Sequence, residues 1–288
     1  MSKILITGAT GYIGKKLCST LALNNSVIMV GRKKQGNNSY CWDEINNLKS
    51  DIVIHLAGKA HDSLNENYSD YYQANVQLTE KVINYCNKNE ISQLIFVSTS
   101  KVYSNCDSIL TEKSKKQANT PYQKTKLLAE ELIRNNLSVT KYHIIQPPII
   151  IGKDEKGNLN LLKKLFSVLP IWPLGAFQNV KSVISYENFQ FFIEKLILKQ
   201  PESSTYIICD DQEISTTDLI KNKFPKVIIL NTGKRFWIVL AKLMTLFKFK
   251  FFNYEVLNKL ILSETYSNEK IKKELNIKET IYDIAKTQ

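Results

Sequence analysis

The chain has 288 residues, 43% of them hydrophobic and 23% charged, with a formal net charge of +12 at pH 7. That length buries a substantial core and accommodates one extended domain with a small lobe, leaving no remainder for a third domain. No apolar run reaches the ~20 residues of a membrane span, the five cysteines show no CxxC pairing, and the three histidines lack ligand spacing, which argues against a spanning helix, a disulfide framework and a histidine metal centre.

Lys3-Ile4-Leu5-Ile6-Thr7 reads as a short buried strand, and Tyr12 to Leu23 as a helix with Ile13, Leu17 and Leu21 on one apolar face. Between them stands the turn Gly8-Ala9-Thr10-Gly11-Tyr12-Ile13-Gly14. A glycine turn joining strand to helix can seat a pyrophosphate on unpaired backbone N–H groups at the positive end of the helix dipole, where any side chain would block its approach. The spacing is GxxGxxG rather than GxGxxG, and position, more than pattern, carries the dinucleotide reading. Gly8, Thr10, Gly11, Tyr12, Ile13 and Gly14 are therefore candidate cofactor residues.

The next strand, Ser26 to Val30, ends in Gly31-Arg32-Lys33-Lys34 with no carboxylate. An acidic residue here would accept hydrogen bonds from the ribose hydroxyls of NAD, whereas an arginine can pair with a 2′-phosphate. Arg32 and Lys33 thus favour NADP(H), with NAD(H) as the alternative. The stretch from Gly31 to Ser50 is polar and short for a helix, so the second crossover is expected to be trimmed. His55 reads as a packed strand residue. His61 follows that strand, but ordinary loop packing outweighs a role at the site.

A strand at Gln93 to Val97 is followed by Thr99, at the strand end where open parallel sheets place their ligand crevice. Tyr-x-x-x-Lys occurs at four of the fourteen tyrosines, Tyr12, Tyr122, Tyr266 and Tyr282, so only position can choose among them. Tyr12 lies in the phosphate turn and the last two lie far downstream. Tyr122 follows Pro121 and opens a helix through Leu127, Leu128, Leu132 and Ile133, which puts Tyr122 and Lys126 one turn apart on one face. A phenol near its ordinary pKa of about 10 exchanges protons poorly at neutrality, and an adjacent ammonium brings it toward working range. Thr99, Tyr122 and Lys126 are the candidate catalytic residues.

Strand and helix signals alternate from Lys3 to about Gln146, which predicts an α/β fold with a doubly wound parallel sheet of Rossmann type and a small C-terminal substrate lobe. Later strands are expected at Val183 to Ser185, Thr205 to Cys209 and Val227 to Leu230, so the chain returns to the main sheet and the units interleave. The expected division is 1–147 plus segments near 178–209 for the dinucleotide unit, and 148–177 with 210–288 for the lobe.

These motifs resemble the extended short-chain dehydrogenase/reductases that act on nucleotide sugars. The matching pieces are Thr7 to Gly14, Asp51 to Gly58, Asn75, Phe96-Val97-Ser98-Thr99, Tyr122 to Lys126, and Pro147-Pro148. Lys101-Val102-Tyr103, Gln146 to Gly152, Gly157-Asn158 and Tyr266 to Ile271 look most like the 4-keto-sugar reductases and 4-epimerases of bacterial capsule and O-antigen synthesis. The resemblance implies that Tyr122 is the acid/base, that Lys126 holds the nicotinamide ribose and tunes Tyr122, and that Thr99 binds O4. It implies further cofactor contacts at Leu56, Ala57, Gly58, Asn75 and Pro147, and substrate contacts at Ser100, Asn158 and Lys181. It also implies a homodimer through helices near Asp70 to Asn87 and Tyr122 to Asn135. The acidic pair that follows the catalytic threonine in 4,6-dehydratases is replaced by Ser100 and Lys101, which argues against dehydration. Relatives often carry arginine at Gln146 and an arginine pair at Val180 and Lys181, so the diphosphate clamp is thinner here.

The expected activity is NADPH-dependent reduction of a nucleotide-linked 4-keto sugar such as a UDP-4-keto-6-deoxy-N-acetylhexosamine. The alternatives are a 4-epimerase with retained NAD and a non-catalytic NADP-binding regulator. Cys18, Cys41, Cys86, Cys106 and Cys209 read as reduced thiols, and a first strand at Lys3 leaves no room for a signal peptide, so the expected location is cytoplasmic. The positive charge suits NADPH and a nucleotide diphosphate, and no nucleic-acid motif accompanies it. The segment from Lys234 to Phe252 mixes cations with large apolar groups, as an interfacial helix would. A helix packed on the lobe is the favoured reading, with membrane-surface association as the alternative.

Overall fold

The computed structural model describes residues 1–60, 67–103, 108–152, 158–247 and 254–282, without the side chains of 158–161 and 255. Its centre is a seven-stranded sheet in which every neighbouring pair is parallel. The strands are β1 (Lys3–Thr7), β2 (Ser26–Gly31), β3 (Ser39–Cys41), β4 (Ile52–His55), β5 (Gln93–Val97), β6 (Lys141–Gln146) and, out of chain order, β10 (Ser204–Ile207). The spatial order β10-β6-β5-β4-β1-β2-β3 reverses direction at β1, so the loops after β1 and β4 part there and leave a crevice.

Side chains alternate across this sheet with the period of a strand and feed two apolar layers. Ile4, Ile6, Ile52 and Ile54 face Leu17 and Leu21 of α1 (Tyr12–Leu21), together with Phe189, Phe192 and Leu196 of α6 (Tyr186–Lys199). Leu5, Val53, Leu94 and Phe96 face the other way, onto Val82 and Cys86 of α3 (Leu78–Lys88) and Ala129 and Ile133 of α4 (Pro121–Asn136). A sheet covered on both faces explains why β1 reads as an unbroken apolar run.

Three features depart from the sequence reading. The trimmed crossover contains an edge strand, β3, and a 3-10 helix at Trp42–Asn47; three residues with polar Ser39 among them carry no strand signal. Val183–Ser185 (β9) does not join the large sheet but pairs with β7 (Ile149–Ile151) in a separate two-stranded sheet, leaving Ser204–Ile207 as the returning strand among the described residues. α10 (Glu269–Leu275) buries Ile271 and Leu275 in the large-sheet layer, far along the chain from the segments that surround them.

A second core lies outside the sheet. Phe166 of α5 (Asn158–Val168), Trp172 of β8 (Ile171–Trp172), Ile220 of α7 (Thr216–Lys223), Ala241 of α8 (Lys234–Leu246) and Leu257 of α9 (Tyr254–Ile261) pack together there. β8 pairs with β11 (Ile228–Ile229) along one side of this lobe. No helix among the described residues is long and apolar enough to cross a membrane.

Candidate active site

The glycine turn is tied to β2 by Gly8 N donating to Val30 O at 3.0 Å and closes on itself by Gly11 N donating to Gly8 O at 2.9 Å. Gly8 has φ +71, a left-handed conformation that a side chain would strain, and a Cβ there would sit 2.6 Å from the Ala57 nitrogen. A Cβ on Gly14 would collide with the Gly8 carbonyl. Gly11 caps α1 with no side-chain hydrogen bond, so the cap takes up none of the first N–H groups of that helix. The turn is thus packed on itself and against the end of β4 too closely for β-carbons at Gly8 and Gly14, the tight strand-to-helix turn that fits a dinucleotide pyrophosphate.

Beyond the turn, a cavity of roughly 260 Å³ opens between Ala9, Thr10, Lys15, Gly31, Gln35 and Ser39. Arg32 and Lys33 are exposed at its edge of the sheet, while Lys34 turns away to pair with Glu44 at 2.8 Å. Glu44 is also held by the Cys41 N–H at 2.9 Å, so this nearby carboxylate is engaged within the β3 corner.

The loop after β4 is tied down by Asn75. Its Oδ1 accepts from Lys59 N at 2.7 Å, and its Nδ2 donates to Lys59 O at 3.2 Å and to Thr125 Oγ1 at 3.0 Å. Asn75 lies in a π-helical stretch, Tyr72–Gln77, between α2 (Tyr68–Tyr71) and α3. The wider turn aims a buried amide at two elements at once, a use typical of such bulges. A Cβ on Gly58 would meet Asn75 Oδ1 at 2.8 Å and come within 4.0 Å of Lys126 Nζ, so Gly58, Asn75 and Lys126 share one corner.

α4 brings the remaining groups. Thr120 and Gln123 form a capping box, Thr120 Oγ1 accepting from Gln123 N at 3.3 Å and Gln123 Oε1 accepting from Thr120 N at 3.0 Å, with Pro121 opening the helix. This defines where Tyr122 leaves the first turn, half-buried. One turn later Lys126 donates to Val97 O at 2.7 Å, with its nitrogen 4.0 Å from the centre of the Phe96 ring. Burial lowers its pKa from the ordinary 10.5 to about 7, opposed by the negative charge of Glu130. Thr99 follows β5 and is buried; its hydroxyl caps a short 3-10 turn by accepting from Lys101 N at 3.2 Å, and Ser100 N donates to Pro147 O at 3.0 Å.

Beneath these groups lies a buried carboxylate that the sequence reading did not single out. Glu130 accepts from Ser98 Oγ at 2.6 Å and Gln146 Nε2 at 2.7 Å, and pairs with Lys116 at 2.9 Å and Arg134 at 2.7 Å. Burial works to raise its pKa, but Lys116 and the hydroxyl and amide donors outweigh it and hold the group low. Gln146, where relatives carry arginine, accepts from Tyr103 OH at 2.6 Å and so joins β6 to the loop after β5. The helical stripe Thr125, Lys126, Ala129, Glu130, Ile133 carried the signal, since two opposite charges on an otherwise apolar face must meet partners inside.

Lys181 donates to Lys259 O at 3.1 Å and sits 3.7 Å from Glu264, which also binds Lys101 at 2.7 Å. Burial lowers the Lys181 pKa, Glu264 opposes this and Lys101 adds to it. His55 is sealed between Thr7 Oγ1 at 2.6 Å and Thr79 Oγ1 at 3.0 Å. Among the other tyrosine–lysine pairs, Tyr12 OH accepts from Lys16 at 2.9 Å, whereas Lys270 bonds Ser204 and Thr205. His61, Cys106, Gly157, residues 248–252 and the side chain of Asn158 fall outside the described residues. Among the described residues no cluster of His, Cys, Asp and Glu could hold a metal.

A doubly wound parallel sheet with a glycine cradle at its first crossover defines a dinucleotide-binding α/β enzyme fold of the extended short-chain dehydrogenase type. Residues 4–168 match the family model described as NAD dependent epimerase/dehydratase family, and the chain belongs to that family. Membership makes it an NAD(P)-dependent enzyme. Over 209 residues it is 27% identical to the N-acetyl-alpha-D-glucosaminyl-diphospho-ditrans,octacis-undecaprenol 4-epimerase of Escherichia coli O157:H7, covering 66% of this chain and 62% of that protein, less than two thirds of the relative's length. It is 24% identical over 242 residues to the UDP-glucose 4-epimerase of Vibrio cholerae, covering 76% and 74% of the two chains. The structure of human epimerase family protein SDR39U1 (isoform 2) with NADPH superposes with a TM-score of 0.78 at 14% identity, over 98% of this chain and 95% of that one, a likeness of fold.

Proposed function

We propose that the protein reduces the 4-keto group of a nucleotide-linked sugar with NADPH. The observation that carries this reading is the end of β2, where Arg32 and Lys33 stand exposed and Glu44, a carboxylate of the adjoining β3 corner, is engaged by Lys34 and Cys41. Two exposed cations suit a 2′-phosphate, and a cofactor with that phosphate is the one cells keep reduced for consumption. Gly8, Thr10, Gly11, Tyr12, Ile13 and Gly14 would hold the pyrophosphate, and Leu56, Ala57, Gly58, Asn75, Lys126 and Pro147 the nicotinamide half. When bound, the nicotinamide supplies a hydride to sugar C4. Thr99 holds the O4 oxygen by its hydroxyl and Tyr122 delivers the proton to it. Lys126 lowers the cost of the tyrosinate by its positive charge and holds the ribose. Ser100 and Lys181, with Asn158, belong on the substrate side, and segments 148–177 and 210–288 contribute most of that lobe.

The test is direct. Tyr122→Phe is expected to abolish turnover with a UDP-linked 4-keto sugar while NADPH binding, read by fluorescence, stays within about twofold; undiminished turnover sinks the mechanism. Arg32→Glu is expected to weaken NADPH at least about tenfold and leave NADH nearly unchanged, as a like charge now faces the 2′-phosphate.

A second reading is favoured by the names of the relatives, of which the Escherichia coli and Vibrio cholerae proteins are both 4-epimerases. An epimerase would use the same Thr99, Tyr122 and Lys126, oxidising C4 and returning the hydride to the opposite face. Absorbance at the reduced-nicotinamide band separates the two: a reductase consumes added NADPH stoichiometrically, and an epimerase interconverts sugars with none consumed.

A further inference from the structure

α8 presents two apolar faces where a helix lining a lobe needs one. Ala241 is buried in the lobe core, with Trp237 and Ile238 packed against it. On the opposite side Phe236, Val239, Leu243 and Leu246 are exposed, at 60%, 56%, 44% and 77%, and Phe247 at the helix end at 75%. At 100° per residue, positions 236, 239, 240, 243 and 246 fall within one arc of about 120° on the outer face. Arg235 and Lys242 lie along one flank of that arc, and Lys234 opens the helix. The helix carries no carboxylate. Arg235, Phe236, Val239, Leu240 and Leu243 together line a shallow apolar depression of roughly 320 Å³.

Solvated faces of soluble helices carry polar residues, and an exposed apolar stripe edged by cations is the pattern of a helix lying in the headgroup plane of an anionic bilayer. A second copy of the chain is disfavoured as occupant, since an isologous contact would set Arg235 and Lys242 of both copies against one another in a protein of net charge +12. An acidic lipid surface satisfies both parts of the face: acyl chains take Phe236, Val239 and Leu243, and phosphate headgroups take Arg235 and Lys242. We propose that the outer face of α8 is a docking surface for anionic phospholipid membranes, which holds the substrate lobe against the bilayer.

The full chain is mixed with vesicles of phosphatidylglycerol and phosphatidylcholine, and with phosphatidylcholine alone, at low and physiological salt, and floated on a density gradient. Binding to the anionic vesicles that weakens with salt is expected. Phe236→Ser combined with Leu243→Ser should weaken it by about tenfold or more, by removing the inserted side chains. Arg235→Glu and Lys242→Glu should each weaken it by roughly fivefold or more, the worth of one cation near such a surface. Unchanged circular dichroism and NADPH affinity in these variants separate a lost surface from a lost fold. No flotation of the wild type at low salt overturns the proposal, and so does binding that all these variants retain. Sedimentation of the free protein covers the remaining occupant: a dimer that Phe236→Ser dissociates, without vesicle binding, assigns the face to a second copy instead.

Discussion

Lys126 carries two demands that pull against each other. It is buried against Phe96 and Val97, which favours the neutral amine, and its proposed work needs the ammonium. Because the folded chain holds it near 7 while the unfolded chain returns it to 10.5, the unfolded state carries the extra proton between those values. Stability of the cofactor-free protein is therefore expected to rise with pH across that window. Urea midpoints at pH 6.5 and 9 should show the rise, and Lys126→Met should flatten it; equal slopes in the two proteins would contradict the burial argument. His55 makes the companion case in acid. Burial, with Lys126 a lesser cause, pushes its pKa from 6.5 down to about 3, so as pH falls below 6.5 the unfolded state takes the proton first and stability is lost. Its ring carbon resonances should stay those of a neutral imidazole at pH 5. Gly14 is a steric case: a methyl group there meets the Gly8 carbonyl, which has no freedom to move, so Gly14→Ala should cost about 2 kcal/mol or more and weaken dinucleotide binding with it.

α4 and the π-helical turn before α3 decide the site as elements. The capping box at Thr120 determines the phase of α4, and that phase sends Lys126 and Glu130 inward together while Tyr122 stands at the open end. Asn75 Nδ2 then bonds Thr125 on the same helix, locking α4 to the loop that carries Gly58. Asn75→Ala removes three hydrogen bonds and leaves Lys59 N without that partner. Thermal unfolding should register a loss of about 1–3 kcal/mol, and NADPH affinity should fall as the Gly58 corner loosens. The tyrosine–lysine spacing was legible in the chain as an i, i+4 pair. The buried ion network around Glu130 was legible only as an anomaly, because Lys116 and Ser98 reach it from other elements.

At the scale of the molecule there are two cores, one on the large sheet and one in the lobe, and α10 ties the chain's far end to the first. Leu257 is fully enclosed in the lobe cluster, so Leu257→Ala should destabilise by about 2–5 kcal/mol. Because the glycine cradle rests on the other core, NADPH affinity should change by less than about threefold in the same variant, a dissociation that calorimetry can read. The composition showed the positive charge but not its placement. Folding turned one stripe of the α8 sequence into core and left the other in water, an outcome that depends on where α5, α7 and α9 stop.

Read alone, the residues settled what is local: a buried first strand, a glycine turn in position to take a phosphate, a helix opened by Pro121 with a phenol and an amine one turn apart. Such features rest on periodicities and steric rules within a few bonds of each residue, so they need no partner. Tertiary structure decided what is distant. Ser204–Ile207 rather than Val183–Ser185 completes the sheet, Glu130 meets Lys116, Ser98 and Gln146 from three other segments, Lys101 and Lys181 converge on Glu264, and Phe236 is left outside. Each of these is a choice among partners far apart in the chain, and packing makes it, because only the assembled surfaces determine which groups lose their water.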